Sequence, residues 1–319
     1  MEGNRELHVL KAAQLYYYEN MTQDAIADRM RCTRWTVGRL LEEAKQSGIV
    51  SITITHPMAR VRSLELALQS RFHLRDVQVL KSQDSPAATG ALVAAATADY
   101  ITSLRPLPRS LGIAWGRSLT AVARAMSDNW TSGIDVYQMY GGLVRSNDDE
   151  VADSIGLMAR RGRGVGHMLP APAIVTDSDL GIRLKREPSV ALTLEAGPQS
   201  DLVIFSPGVL EPESVLVRSG FLTENGLERL RSLGAVTDVF SHFVDVNGKP
   251  VSSELENRTI ATPLDAVRSA KHSLAIGWGD AKVLPLLVSL RSGLAHSLIV
   301  CEDLAQAILD RGEELDSQD

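Results

Sequence analysis

The chain has few cysteines and no long apolar run. Its two cysteines, Cys32 and Cys301, lie far apart among 319 residues and do not have the spacing of metal ligands. We therefore expect both thiols to be reduced packing residues, with no metal site. No apolar run approaches the roughly 20 residues of a membrane-spanning helix, and the opening residues MEGNRELH lack the apolar core of a signal peptide. These absences predict a cytoplasmic protein with no membrane partner.

The chain also lacks a surplus of positive charge. It contains 33 Lys and Arg against 39 Asp and Glu, for a net charge of −6, and residues 1–60 contain eight basic and seven acidic residues. A protein that only organises DNA would need a more basic surface. With 44% hydrophobic residues and a mean hydropathy of −0.03, the chain is long enough for a small N-terminal domain followed by one large α/β domain or two small ones.

Residues 22–47 have the apolar periodicity of a helix-turn-helix. A polar break at residues 31–33 separates two helical patterns, and Thr33 is well placed to cap the second helix by accepting a backbone N–H. The apolar side of that second helix consists of Val37, Leu40, Leu41 and Ala44. An apolar helix at about residues 7–18 would supply the third helix of such a domain, and the alternating stretch GIVSITIT at residues 48–55 predicts a strand serving as a wing or connector.

The outer side of the second helix is suited to reading DNA. The start of a recognition helix enters the major groove, where Arg binds guanine through two hydrogen bonds and Thr offers thymine a hydroxyl and a methyl group. A Gln at the start of the first helix can donate to a phosphate. The residues that we predict to contact DNA are Gln23, Thr33, Arg34, Trp35, Thr36 and Arg39. The alternative is an ordinary helical hairpin with a solvated basic face, but the flanking helix and strand favour DNA binding.

From about Arg60 onward, short apolar runs alternate with longer helical patterns. The runs are DVQVL, SLGIAW, IDVYQMY, DLVIFSPG, DVFSHFVDVNG, SLAIGWG and SLIV. This alternation predicts parallel strands joined by crossover helices, with a ligand site beyond the carboxyl ends of the strands. We therefore predict a DNA-binding domain at residues 1–56 and an effector-binding and oligomerisation domain at residues 57–319.

Glycines concentrate where the predicted strands end. Gly141 and Gly142 lack side chains and would let a ligand approach backbone donors closely. The segment GWGDAK at residues 277–282 lies between a buried strand and a helix, where the helix start favours an anion and Lys282 would add a charge suited to phosphate. The alternative is a surface lysine on an ordinary turn, and the combination of features favours the anion site. Pro285 cannot lie deep inside a helix, so we expect the helix to begin near residue 284.

Several segments, taken in order, resemble the transcriptional regulators of the SorC type, the group that includes the deoxyribonucleoside and central glycolytic gene regulators. They extend from about residue 7 to residue 309 and read LYYYENMTQDAIADRM, TRWTVGRLLEEAKQSGIV, SLELALQSRFHLRDVQVL, LGIAWGRSLTAVA, VYQMYGG, LPAPAIV, LGAVTDVFSHFVDVNG, ENRTI and GDAKVLPLLVSLRSGL. The resemblance implies a winged helix-turn-helix followed by a Rossmann-like α/β effector domain related to sugar-phosphate isomerases and CoA transferases. It also implies a phosphorylated-sugar effector, palindromic operator DNA and a homodimer or homotetramer, and we expect no cofactor.

The resemblance also implies an effector pocket assembled from residues that follow several strands. Carried onto this chain, the pocket would comprise Gly116, Arg117, Ser118, Gly141, Gly142, Gly208, Asp245, Arg258, Gly279 and Lys282. Lys282 would match the family's phosphate-side lysine, and the Asp245 carboxylate would accept hydrogen bonds from sugar hydroxyls.

This chain departs from the family pattern at four places. Ser206-Pro207-Gly208 stands where the family usually has a Gly-Ile-Gly-like turn, and Trp278-Gly279 stands where it usually has Gly-Gly. In the helix-turn-helix, Arg31 replaces a usual turn glycine, and Gly38 replaces a common serine and so weakens the helix propensity there. A tryptophan in place of glycine should shrink or reshape the pocket, or offer a stacking face to a ring.

The principal alternative is a sugar-phosphate isomerase-like enzyme that carries a DNA-binding head. The sequence contains no carboxylate and lysine at a spacing that commits them to proton transfer, and the histidines are scattered without a motif. We therefore predict a regulator without catalytic residues, whose operator affinity is switched by a small carbohydrate-type effector.

Overall fold

Three helices make up the described part of the N-terminal unit in the computed structural model. They are α1 Glu2–Tyr17, α2 Gln23–Met30 and α3 Arg34–Gln46. The chain divides into two compact units, Met1–His56 and Pro57–Asp319. The structure describes residues 2–50, 59–142, 154–212, 214, 217, 220 and 222–317. Residues 51–55 of the predicted wing therefore lie outside the described residues.

Local capping signals explain where the helices of the N-terminal unit begin and end. The Thr33 hydroxyl accepts a hydrogen bond from the Thr36 N–H at 3.2 Å, which confirms the predicted cap of α3. Thr22 caps α2 by accepting from the Ala25 N–H at 3.3 Å. Arg31 ends α2 in the left-handed region with φ 50°, the conformation for which glycine is the usual residue. The predicted apolar stripe from Val37 to Ala44 is buried in the core of this unit.

The larger unit alternates strands with helices, as the sequence predicts. Its described elements are α4 Arg62–Phe72, β1 Asp76–Leu80, α5 Pro86–Ser103, β2 Ser110–Ile113, α6 Arg117–Ala125, β3 Asp135–Gln138, α7 Ser154–Arg161, β4 Val165–His167, α8 Ser178–Arg186, α9 Pro188–Gln199, β5 Leu202–Phe205, α10 Glu224–Ser232, β6 Thr237–Val239, β7 His242–Val244, α11 Ser253–Arg258, α12 Leu264–Arg268, β8 Ser273–Gly277, a 3₁₀ helix Asp280–Lys282, α13 Val283–Arg291, β9 Ser297–Cys301 and α14 Glu302–Asp316.

Seven of these strands form one parallel sheet in the order β1-β9-β8-β5-β2-β3-β4. Strands β5, β8 and β9 are buried along their whole length, because helices cover both faces of such a sheet. From β2 the chain runs outward through β3 to β4 at one edge. From β5 it runs the other way through β8 to β9. The neighbouring strands β2 and β5 therefore form the switch point, where ligands of open α/β sheets bind.

Two parts of the larger unit differ from the sequence-based expectation. The segment DVFSHFV forms a separate antiparallel hairpin, β6–β7, outside the main sheet. The acidic sequence GEELDSQD after Arg311 predicts a frayed terminus, but α14 continues to Asp316. The Asp316 carboxylate forms ion pairs with Arg71 and with Arg291, which hold the end of the helix against the domain. Among the described residues, no helix has the length and apolar character needed to cross a membrane.

Candidate functional site

A cavity of about 460 Å³ opens at the carboxyl ends of β2, β5 and β8. Its walls come from the residues that follow these strands, from Tyr140 after β3, and from the β6–β7 hairpin. The volume lies within the roughly 300–1,000 Å³ range of small-molecule sites. Because the cavity lies at the switch point of the sheet, it occupies the position that the topology favours for a ligand.

Two helix starts face this cavity without a side-chain cap. Gly116, with φ 140°, precedes α6, and Gly279, with φ 84°, precedes the 3₁₀ helix that continues into α13. Neither start has a capping side chain. The first N–H groups of a helix have no intrahelical partner and lie at the positive end of its dipole. Both starts therefore offer donors to an anion in the cavity.

The Lys282 ammonium is the cation held deepest in this wall. It is partly buried, and its Nζ donates a hydrogen bond to the Pro207 carbonyl. Burial lowers the pKa of Lys282 to about 8, Asp238 and Glu211 oppose this shift, and Arg117 adds to it. Lys282 is thus charged at neutral pH in a site that disfavours its charge, so an added anion would relieve that cost.

The least exposed carboxylate of the cavity wall is that of Asp238, which was not among the residues predicted from the sequence. Its Oδ1 accepts a hydrogen bond from the Ser241 N–H at 2.8 Å. Its Oδ2 lies so close to Gly208 that a Cβ at that position would be 2.4 Å away, so any side chain at residue 208 would displace the Asp238 carboxylate. Burial raises the pKa of Asp238 to about 6, against the opposing effects of the Ser241 N–H, Lys282 and His242.

Aromatic rings form the remaining wall. Trp115 stacks on Tyr140 with ring centroids 4.7 Å apart, and Phe240 contacts both Tyr140 and Phe205. The Tyr140 hydroxyl donates to the Trp115 carbonyl at 3.0 Å, and burial raises its pKa well above the usual value. The rings are fixed by these contacts, so the wall is rigid. The sequence offered no signal for this cluster, because its members come from four separate strands or turns.

The structure brings six of the ten predicted effector residues to the cavity. These are Gly116, Arg117, Ser118, Gly208, Gly279 and Lys282. Gly141 and Gly142 do not line it, and their amides are already engaged: Gly141 donates to the Ile260 carbonyl at 2.8 Å, and Gly142 donates to the Ala171 carbonyl at 2.9 Å. The expectation that these two amides meet a ligand is therefore corrected.

Asp245 and Arg258 also lie outside the cavity wall. The Asp245 Oδ1 accepts hydrogen bonds from the N–H groups of Asn247 and Lys249, both at 2.9 Å, and so stabilises the turn after β7. The Arg258 Nε donates to the Val175 carbonyl at 2.9 Å. Both side chains hold loops in place, and Asp238 takes the position in the cavity that was expected for Asp245.

The predicted DNA-reading residues lie around the start of α3. Trp35 is 71% exposed, and the Arg39 guanidinium lies 5.0 Å from the centroid of its ring. Arg34 is exposed and lies 3.7 Å from the Asp24 carboxylate. The Thr33 and Thr36 hydroxyls are hydrogen-bonded to each other at 2.8 Å. Of the six predicted residues, Thr33, Arg34, Trp35 and Arg39 are exposed, whereas Gln23 and Thr36 are partly buried.

Comparison with known families agrees with this geometry. The family described as "Putative sugar-binding domain" matches residues 56–310, which include every residue of the cavity wall. The chain belongs to this family. The sugar-binding domain is thus the larger unit, and the three-helix unit precedes it.

Full-length relatives share both units. The chain is 27% identical over 313 residues to the deoxyribonucleoside regulator of Bacillus subtilis (strain 168), which covers 97% of this chain and 99% of the relative. It is 24% identical over 312 residues to the transcriptional regulator LsrR of Klebsiella pneumoniae, covering 94% of this chain and 92% of the relative.

A solved structure shows the same fold. The full-length sorbitol operon regulator SorC from Klebsiella pneumoniae superposes with a TM-score of 0.72 at 22% identity, covering 94% of this chain and 97% of that chain. These findings confirm the resemblance to transcriptional regulators of the SorC type.

Proposed function

We propose that the protein is a DNA-binding transcriptional regulator whose operator affinity is switched by a small carbohydrate effector, specifically a phosphorylated sugar. The observation that carries the proposal is the cavity of the sugar-binding domain, where two uncapped helix starts and Lys282 converge. The names of the relatives, a deoxyribonucleoside regulator among them, support the same class of function.

The phosphate group of the effector binds at the helix starts. Phosphate oxygens are acceptors, and the N–H groups that follow Gly116 and Gly279 supply donors at the positive ends of two helix dipoles. The Lys282 ammonium, which in the unliganded protein donates to the Pro207 carbonyl, turns to a phosphate oxygen. Arg117, exposed at the mouth of the cavity, adds a second positive charge.

The sugar hydroxyls bind at the acidic groups of the cavity wall. An ionised carboxylate is acceptor-only, and each hydroxyl can donate one hydrogen bond. Asp238 is aimed into the site by the Ser241 N–H, and Glu211 also lines the wall. The site therefore combines a cation, carboxylates and aromatic rings in one cavity, the groups that a phosphorylated polyol requires.

The N-terminal unit reads the operator. Arg34 and Arg39 contact base edges in the major groove, while Gln23, Thr33 and Thr36 position the helix pair on the backbone. A single head of this size buries too little surface for tight specific binding. We therefore infer a homodimer or homotetramer on a palindromic operator, with half-sites about 34 Å apart or a multiple of that distance. The proposal includes a wing after α3 and a larger domain related to sugar-phosphate isomerases and CoA transferases.

Calorimetry on the full-length protein tests the effector assignment. A panel of sugar phosphates is titrated into the wild type and into the K282A variant, with K249A as the control, because Lys249 is exposed on the turn after β7 and does not line the cavity. We expect K282A to weaken binding of any sugar phosphate by about tenfold or more, the usual value of a hydrogen bond to a charged group. Equal affinities for K282A and the wild type would contradict the phosphate assignment.

One observation favours a second candidate, a sugar-phosphate isomerase-like enzyme. Asp238 and Lys282 face the same cavity with pKa values of about 6 and about 8, and such shifted values near neutrality suit an acid–base pair. NMR spectra of the protein incubated with each bound sugar phosphate separate the two candidates. A regulator leaves the sugar unchanged, whereas an isomerase interconverts aldose and ketose signals.

A further inference from the structure

Trp278 and Gly90 form a tight contact at the edge of the cavity. Trp278 follows β8 and lines the cavity wall. Gly90 lies in the first half of α5 and is buried. A Cβ added at Gly90 would lie 2.6 Å from the Trp278 Cε2 and Nε1 atoms and 2.9 Å from its Cζ2 atom. Real Cβ contacts are not that short, so the indole can keep this position only while residue 90 is glycine.

The contact fixes the indole against a rigid element. Helix α5 spans 18 residues and packs most of its length into the core. A glycine inside a helix is less favourable than an alanine. At position 90 the glycine leaves the space that the Trp278 indole occupies. Trp278 itself packs against the main core. The ring is therefore held on one side by α5 while the neighbouring Gly279–Lys282 segment offers its donors to the cavity.

We propose that Gly90 is a positioning residue for Trp278, and that the positioned indole selects effectors with a ring, cyclic sugar phosphates, over acyclic ones. This inference rests on the proposed function, since it concerns the same cavity. A furanose or pyranose has a face of C–H groups that packs on an aromatic surface, and a rigid aromatic surface is ready for it without further ordering. An extended polyol chain has no such face, and it loses more rotational freedom when it is bound.

A double-mutant cycle tests the positioning. Calorimetry measures the affinity of each protein for two cyclic compounds, glucose 6-phosphate and fructose 6-phosphate, and for their acyclic counterpart, sorbitol 6-phosphate. The proteins are the wild type, W278A, G90A and G90A/W278A. We expect the wild type to prefer the cyclic compounds. We expect W278A to bind them about tenfold more weakly, the upper range for an aromatic contact, with little change for sorbitol 6-phosphate. G90A should lose the preference in the same way, and in the W278A background G90A should have no further effect.

The possible results distinguish a failure of this inference from a failure of the proposed function. If G90A keeps the affinities and the preference of the wild type, or if its effect persists in the W278A background, Gly90 does not act through the indole. If W278A keeps the preference for rings, Trp278 is not the selecting residue. W278F provides a second test that is independent of any folding defect in G90A, because its smaller ring should retain part of the preference. A wild type that binds no sugar phosphate at all would instead contradict the proposed function.

Discussion

Replacing Asp238 by asparagine should stabilise the unliganded protein and weaken effector binding at the same time. Burial raises the pKa of Asp238 from 3.8 to about 6, so its ionised form is less favourable in the folded state. Asparagine has the same shape, keeps the acceptor for the Ser241 N–H, and has no charge to bury.

The size of the effect follows from the pKa shift. A shift of about two pKa units corresponds to about 3 kcal/mol, at about 1.4 kcal/mol for each unit. The pKa of about 6 already includes the attraction of the Lys282 ammonium, and because Asp238 is partly exposed, solvent screening reduces the gain. We expect D238N to raise the free energy of unfolding by about 1–2 kcal/mol near pH 7.

The stability difference between D238N and the wild type should increase as the pH rises. Between about pH 4 and about pH 6 the folded state keeps a proton on Asp238 that the unfolded state has released, so the wild type loses stability as the pH rises through this window. D238N lacks that loss, so its advantage should be small near pH 4 and complete near pH 7. Urea unfolding of both proteins at the two pH values measures the difference. An advantage that is absent near pH 7, or equal at both values, would refute the argument from burial.

Effector affinity provides the second measurement on the same variant. D238N should bind a sugar phosphate about tenfold more weakly, because an amide accepts hydroxyl hydrogen bonds less strongly than a carboxylate does. D245N is the matched control, since Asp245 holds a turn outside the cavity. If D245N loses effector affinity and D238N keeps it, the corrected assignment is wrong.

Three further predictions concern other charged groups. Replacing Arg34 or Arg39 by alanine should abolish the preference for operator over random DNA while leaving effector binding intact. Gel-shift titrations in which both variants keep that preference would show that neither residue reads bases. Affinity for a sugar phosphate should fall as the pH rises through about 8, because free Lys282 loses its proton there, and calorimetry should find no such fall in K282A. Burial lowers the pKa of His272 to about 4, so as the pH falls the imidazole is protonated in the unfolded state before it is protonated in the folded state. His272 should therefore lower the free energy of unfolding by up to about 3 kcal/mol between about pH 6.5 and about pH 4. Because Asp238 acts in the opposite direction over the same pH range, the test is the difference between the wild type and H272Q. The variant should lack the His272 contribution, and identical pH profiles of the two proteins would contradict the assignment.

Local signals in the sequence were sufficient for much of the fold. The cap at Thr33 depends on a hydroxyl three residues from its partner, and the apolar stripe of α3 repeats within one helix. Pro285 placed the start of α13 within a residue or two of its observed position at Val283. The loop that we propose as an anion site was recognisable because Gly279 and Lys282 lie within four residues of each other, between a buried strand and a helix.

The missed features depend on contacts between distant segments. Asp238 reaches the cavity because its backbone pairs with that of Gly208, about 30 residues earlier. The turn that follows it contains Phe240 and Ser241 with φ 52° and 65°. Such hairpin turns usually carry Asn-Gly, so the sequence did not mark the turn. Gly141 and Gly142 were misjudged for a related reason, since the carbonyls that engage their amides belong to residues far along the chain.

The most direct test of the account is the coupling between effector and operator. Fluorescence anisotropy measures operator affinity with and without a saturating sugar phosphate, and calorimetry measures effector affinity with and without the operator. We expect the effector and the operator each to change the protein's affinity for the other by the same factor, which corresponds to a coupling free energy of about 1–3 kcal/mol. K282A should keep the operator affinity of the unliganded protein and lose the response to effector. An operator affinity that stays the same when the cavity is fully occupied would contradict the central claim.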